Sequence, residues 1–239
     1  MSDLVNIHCA YEHAQDKMAL LPYYYKWIYK KFASEIAGTV VELGSGIGHL
    51  IPFYANRAKE IIAVDNNETV LRNLAIRNQG LVIKPIKCNL SGDWSELRGI
   101  KADTVIAIDI LEHMKYDSEF LISAKNLLKP HGKLLIKVPA ISSLYGEIDI
   151  SSGHYRRYDK KTLNKVITKN GFELISLDYM NPIGAFIYKY KRHNKTNFSR
   201  TFSNNFLRFI NLAMIITPLF DLVYKRKGLS LVAICRSVI

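Results

Sequence analysis

The stretch Val40-Val41-Glu42-Leu43-Gly44-Ser45-Gly46-Ile47-Gly48 sets three glycines at alternate positions directly behind a run of strand-forming residues. Glycine has no Cβ, so Gly44 and Gly46 allow a tight turn and let a ligand lie against bare backbone. Asp65 follows 21 residues after Gly44, at the end of the next apolar run. A carboxylate there can accept both hydroxyls of an adenosine ribose. The spacing also separates ligand classes. A dinucleotide turn reads GxGxxG, whereas His49 stands at the sixth position here and the third glycine is Gly48. A second chemical cluster, Ser152-Gly153-His154-Tyr155-Arg156-Arg157-Tyr158-Asp159, packs an imidazole, two guanidiniums and two phenols into one short stretch. No His, Cys or Asp grouping has metal-ligand spacing along the chain, so no metal is expected.

Such turns need a sheet to hold them. Apolar runs rich in β-branched residues at Thr39–Leu43, Glu60–Asp65, Leu81–Lys87, Thr104–Ile108, Lys133–Val138, Glu173–Tyr179 and Ser230–Arg236 are read as strands. Val105 to Ile108 are apolar at consecutive positions, as in a strand covered on both faces. Helical stretches with recognisable ends lie between them. Asn66 or Asn67 caps a helix carrying Val70, Leu71 and Leu74 and stopped by Gly80. Phe120, Leu121, Ala124, Leu127 and Leu128 form one stripe, closed by Pro130 and Gly132. Asp159 caps a helix through Leu163, Val166 and Ile167 that ends at Gly171. The alternation predicts an α/β fold: a doubly wound, mostly parallel seven-stranded sheet in a single domain. Residues 1–38 are assigned to an N-terminal helical cap, 39–180 to a ligand-binding core, 181–228 to a helical insertion and 229–239 to the last strand.

The chain has 239 residues with 49% hydrophobic content, enough for one sizeable core, and a net charge of +12 that favours anionic partners of some kind. Cys9, Cys88 and Cys235 lie far apart without CxxC spacing and read as free thiols. Residues 1–16 are polar and charged where a secretory segment would be apolar, so a cytoplasmic location is expected.

The ordered motifs resemble those of class I S-adenosylmethionine-dependent methyltransferases, which share a Rossmann-like sheet. On that resemblance, Glu42, Gly44, Ser45, Gly46 and Gly48 cradle the methionine part of S-adenosylmethionine, and Asp65 with Asn66 meets the ribose. Cys88-Asn89-Leu90 falls where the family contacts adenine, with Asn89 and Leu90 the contacts and Asn89 replacing the usual acid. Ile108-Asp109-Ile110-Leu111-Glu112-His113 resembles the fourth motif, so Asp109 and Ile110 face the sulfonium. Leu128-Lys129-Pro130-His131-Gly132 resembles the turn into the fifth strand, with His131 in place of a common glycine, and Gly228 to Ala233 resembles the start of the last strand. Tyr11 and His13 are assigned to a lid over the cofactor.

Methyl transfer to a hydroxyl needs a base, and the loop after the fifth strand is the place to seek one, because ligands sit at the carboxyl ends of strands. A Gly-His-Tyr-Arg-Arg-Tyr stretch is similar to one in a subgroup of these enzymes associated with surface-glycan and natural-product pathways. His154 is therefore expected as general base or acceptor-orienting group, Arg156 or Arg157 as holder of an anionic group, and His113 as a pocket residue. The alternative for the arginines is a structural clasp stacked on Tyr155 or Tyr158. His49 and the aromatic run Tyr23 to Trp27 are read as packing. The expected acceptor is an oxygen or nitrogen of a small molecule or glycan. Nucleic acid, the alternative acceptor, is disfavoured because the fourth motif lacks an Asn/Asp-Pro-Pro-aromatic sequence. An inert methyltransferase-like binding protein is the other alternative. In the insertion, Lys189, Lys191, Arg192, Lys195 and Arg200 precede an apolar stretch from Phe206 to Val223 and then Lys225-Arg226-Lys227. That pattern fits either a lid over the acceptor or a segment resting on anionic lipid.

Overall fold

The computed structural model describes residues 15–191 and 203–238. Tyr11, His13, Cys9 and part of the basic run after Lys191 lie outside them. Helix α1 (Pro22–Phe32) precedes β1 (Gly38–Leu43), and a short α2 (Ile51–Tyr54) leads to β2 (Ala58–Asp65). Then follow α3 (Glu68–Arg77), β3 (Ile83–Lys87), β4 (Ala102–Ile108), α4 (Asp117–Leu127), β5 (Leu128–Pro139), α5 (Glu147–Ser151), α6 (Lys160–Lys169) and β6 (Phe172–Met180). The insertion holds α7 (Pro182–Lys191), α8 (Asn204–Ala213) and α9 (Pro218–Val223) before β7 (Ser230–Ser237).

The seven strands form one sheet in the order β3-β2-β1-β4-β5-β7-β6. β1 to β5 pair in parallel, and the order reverses between β1 and β4, the position where α/β sheets open a crevice for ligands. The sheet is mostly parallel, as the alternation implied, and the exception is β7, which runs antiparallel to both β5 and β6. The physical reason is the connection. The chain leaves β6 at Met180 and re-enters at Ser230, which are paired, so the insertion returns to the same sheet edge instead of crossing to the other. Ser230 also pairs with Pro139. The insertion therefore springs from the edge where the parallel strands end.

Strand alternation sorts the core onto two faces. Val41, Ile62, Val105 and Leu134 point toward α4 and α6, and their neighbours Val40, Ile61, Ile106 and Leu135 toward α1, α2 and α3. α1 is thus a layer of the core, with Trp27, Ile28 and Phe32 buried on the sheet, as the packing reading of the aromatic run expected. Asn67, not Asn66, caps α3 by accepting from the Val70 amide. β3 begins two residues later than expected, because Leu81 and Val82 pass through the turn at the sheet edge and stay exposed. Leu128 ends the α4 stripe as the first residue of β5, paired with Ala102, so β5 starts earlier than expected and takes in Pro130 and Gly132 over a register shift. His131, where a glycine is common, adopts φ +62°.

Candidate active site

The glycine turn leaves β1 with φ values of +69°, +55° and +77° at Gly44, Gly46 and Gly48, the left-handed region that side chains resist. A Cβ on Gly44 would lie 2.0 Å from Ile110 Cδ1, so the turn and the loop after β4 touch where only glycine fits. Asp65, at the end of β2, accepts from the Gly46 amide at 3.0 Å and from the Asn67 amide at 3.0 Å. Its carboxylate is therefore tied to the glycine turn. Ser45 Oγ is buried in this turn with no hydrogen-bond partner among the described residues. Asn66 is exposed beside it.

Glu42 sits one strand position inside this edge, buried, and accepts from Tyr54 Oη at 2.7 Å. Burial pushes its carboxyl up to about 7, against the pull of that hydrogen bond. Asn89 is exposed, and its carbonyl oxygen takes the Ser91 amide at 3.0 Å, which leaves one lone pair for a ligand. Leu90, Trp94, His113, Met114, Phe120 and Tyr155 line a cleft of ≈ 280 Å³, so one expected adenine contact, Leu90, and one expected pocket residue, His113, share a hollow. His49 stacks on Tyr25 at 4.7 Å, as a packing residue would.

Asp109 follows β4 directly in a left-handed conformation, φ +53°. Both its oxygens lie within 2.7 Å of Lys137 Nζ, and its amide donates to the Lys137 carbonyl. The Lys137 side chain is only 2% exposed; burial, the largest single influence, lowers its pKa, but Asp109 and Tyr24 together outweigh it and hold the group above the ordinary lysine value, so it stays charged. Tyr24 of α1 packs against this ammonium, 5.4 Å from ring centre to Nζ. Next along the loop, Glu112 is fully buried and neither carboxyl oxygen reaches a donor on another of the described residues. Burial, and then Asp109, hold its carboxyl well above the usual range.

The loop beyond β5 is organised by Asp149, which the sequence did not single out. This carboxylate is completely buried and accepts from the Gly146 amide at 3.0 Å, from Arg157 Nε at 2.9 Å and from Tyr188 Oη at 2.7 Å. His154 Nδ1 lies 2.9 Å from its Oδ1. Burial alone would raise the Asp149 pKa, but His154, Arg157 and Tyr188 outweigh it and hold the group down to about 2. The ring of His154 meets that of His113 edge-on at 4.6 Å between centres. Burial, then the neighbouring His154, lowers His113 to about 4.

The arginines are spent inside the protein. Arg157 is buried on Asp149 and the Ala140 carbonyl, with Tyr188 stacked 4.0 Å from its guanidinium. Arg156 pairs with Asp117 at 2.8 Å and with the Lys115 carbonyl at 2.7 Å. The expectation that one of them holds an anionic substrate group gives way to the clasp reading, with Tyr188 as the stacking partner of Arg157. Lys137 had a visible signal, a lone charge inside the apolar run Leu134 to Val138. Asp149, Tyr188 and Tyr24 had none, because only the fold brings them to this edge.

Comparison with known proteins follows the same lines. Residues 15–177 match the family described as "Methyltransferase domain". A protein of Mycolicibacterium smegmatis, described as a probable S-adenosylmethionine-dependent methyltransferase, is 24% identical over 152 residues. The match covers 62% of this chain and 57% of that protein, so the chain spans little more than half of the relative's length. An S-adenosylmethionine-dependent methyltransferase from Mesorhizobium loti superposes with a TM-score of 0.63 at 12% identity, covering 88% of this chain and 97% of the other. The N-methyltransferase NodS from Bradyrhizobium japonicum, solved with S-adenosyl-L-homocysteine, gives a TM-score of 0.58 at 11% identity, with 89% and 84% covered. At these identities the likeness concerns the fold.

The depressed Asp149 pKa makes a stability prediction. A carboxyl held at about 2, below its usual value near 4, stabilises the fold above that usual value and loses this contribution as pH falls through 4 toward 2. The contribution is on the order of 2 kcal/mol. Urea denaturation should find Asp149→Asn less stable than the parent at pH 7, with a flatter decline between pH 5 and pH 2.5. Parallel acid limbs would refute the role given to Asp149.

Proposed function

The chain belongs to the methyltransferase-domain family, whose members include S-adenosylmethionine-dependent enzymes, and from that premise we propose that it methylates an oxygen or nitrogen of a small-molecule or glycan acceptor. S-adenosylmethionine supplies an electrophilic methyl group on a sulfonium. The residues present fit that cofactor. Ser45 Oγ is a buried donor with no partner among the described residues, the Gly44 and Gly46 positive-φ turn brings backbone amides to this edge, and Asp65 is fixed at the same edge. In this reading Gly44, Ser45, Gly46 and Gly48 hold the amino-acid end. Asp65 and Asn66 meet the ribose, Asn89 and Leu90 the adenine, and Asp109 and Ile110 form the floor below the methyl group.

The observation that carries the acceptor reading is the Asp149–His154 pair. Its carboxylate stays ionised, so the Nδ1 proton of His154 is donated to it and Nε2 remains for chemistry. A third group that fixes the ring in this way is the arrangement expected of an imidazole acting on an acceptor proton. His113 packs against it from the loop after β4. Small-molecule and glycan acceptors are favoured over nucleic acid because the chain carries Ile-Asp-Ile-Leu where a base-amine methyltransferase would carry an Asn/Asp-Pro-Pro-aromatic sequence. With Arg156 and Arg157 committed to Asp117 and Asp149, the basic charge that would draw an anionic acceptor lies elsewhere.

It lies on the insertion. One side of α8 and α9 is docked: Leu207 is buried, Asp221 accepts from Trp27 Nε1 and pairs with Lys31, and Asn211 accepts from the Tyr23 amide. The other side exposes Phe209, Leu212, Ile215, Ile216, Leu219, Phe220 and Val223, with Phe209 69% and Val223 77% accessible. Arg208, Lys225, Arg226 and Lys227 are exposed beside this strip. An apolar face of this size flanked by cations suits anionic lipid, while no described helix is long and apolar enough to cross a membrane. The docked side packs α8 and α9 on α1, and the outward side supports the lipid reading. The enzyme rests on an anionic membrane surface and takes an acceptor presented there.

Two measurements test this. Replacing His154 by alanine should lower single-turnover methyl transfer by about 10²–10⁴-fold and leave S-adenosylmethionine affinity within twofold or so; unchanged turnover would end the role of His154. In sedimentation at low salt, the chain should pellet with phosphatidylglycerol vesicles and not with phosphatidylcholine vesicles, and Phe209→Asp with Leu212→Asp should release it. A parent protein that stays in the supernatant with anionic vesicles would remove the membrane from the proposal.

A further inference from the structure

The Asp149–His154 reading leaves Glu112 unexplained. A carboxyl group buried without a partner must be neutralised, by a proton or by a cation that takes the proton's place. The nearest cations cannot serve: Lys137 has both oxygens of Asp109, and Arg157 has Asp149. What does stand beside Glu112 is a pair of imidazoles. One ligand atom each from Glu112, His113 and His154 lie within 4.8 Å of one another.

We propose that Glu112, His113 and His154 bind one divalent first-row transition cation. Two imidazoles and one carboxylate form a mixed nitrogen and oxygen donor set suited to zinc, cobalt, manganese or iron, and three protein ligands leave open positions for an acceptor. Bonds of about 2.1 Å would bring tetrahedral donors to about 3.4 Å apart, a contraction that side-chain rotation can supply. The surroundings are already those of a metal site. His154 offers one ring nitrogen to Asp149, the arrangement that orients a ligating histidine and makes it more basic. The His113 ring is likewise engaged by the Gly153 backbone, which leaves its other nitrogen for the cation. The glycine in φ +77° at Gly153 places that backbone next to the His113 ring. The expectation of no metal rested on sequence spacing, and His154 lies 41 residues beyond His113, so only the fold reveals the group.

This inference rests on the reading of the same edge as the acceptor end, and it deepens it. With a cation bound, His154 would hold the metal in place of the base role given it above; the cation would polarise an acceptor oxygen and lower its pKa, and the acceptor proton would pass to water.

The test uses the metal alone, so its failure is separable from failure of methyl transfer. The full chain, stripped with a chelator, is titrated with Co²⁺ and followed by visible absorption and thermal melting. One equivalent should bind, with d–d absorption and a raised Tm. Glu112→Gln, which keeps the shape of the side chain, and His113→Ala should each weaken binding at least about tenfold, the loss that even outer contacts of a metal site can cause. Circular dichroism checks both folds, and His113, being half-buried, decides alone if Glu112→Gln fails to fold. No stoichiometric absorption from the parent chain, or absorption undiminished in His113→Ala, would overturn the proposal.

Discussion

With four donors converging on one fully buried carboxylate, Asp149 is the constraint on which the acceptor end of this molecule depends. A buried carboxylate must be satisfied from several sides, and its four partners come from three places. Gly146 starts the short helix, His154 and Arg157 come from the loop that follows, and Tyr188 comes from the insertion. Removing any one partner strands charge in a dry site. The loop after β5, the histidine it presents and the first helix of the insertion are therefore held as a unit, and a side chain that touches no ligand sets the position of those that do.

The cofactor end uses the same economy with different means. Asp65 fastens its own loop to the glycine turn, while Asp109 is held in a left-handed conformation by Lys137 across the β4–β5 ladder. A buried ammonium with a half-exposed aspartate on it keeps the loop after β4 from relaxing toward ordinary backbone angles. That loop carries Ile110 onto Gly44 and delivers Glu112 and His113 to the acceptor side. The cofactor and acceptor ends are thus joined by five residues of one turn.

Much of this could be read from the sequence because the signals were local. The glycine turn, the seven strands and the helix stops are each dictated by short-range backbone preferences, and each falls within a few residues of its expected place, with β5 the most extended beyond it. Tyr188 and Asp149 are 39 residues apart and belong to elements whose docking depends on the whole sheet, so no spacing marked them. The choice between the two readings of the arginines next to His154 was illegible for the same reason: their partners, Asp117 and Asp149, are not marked by any spacing. The antiparallel last strand follows from the length and route of the insertion, which alternation alone does not encode. The exposed apolar strip on α8 and α9 was visible only as an apolar stretch, and its outward direction came from the fold.

The most direct test of the central claim, that the turn after β1 and the aspartate after β2 together receive an adenosyl sulfonium, is calorimetric titration of S-adenosylmethionine into the parent chain and into Asp65→Ala. One site per chain in the parent, with affinity reduced about a hundredfold or more in the variant, is the predicted result, since a bidentate charged contact is lost. Absence of binding to the parent, or equal affinity in both proteins, would contradict it.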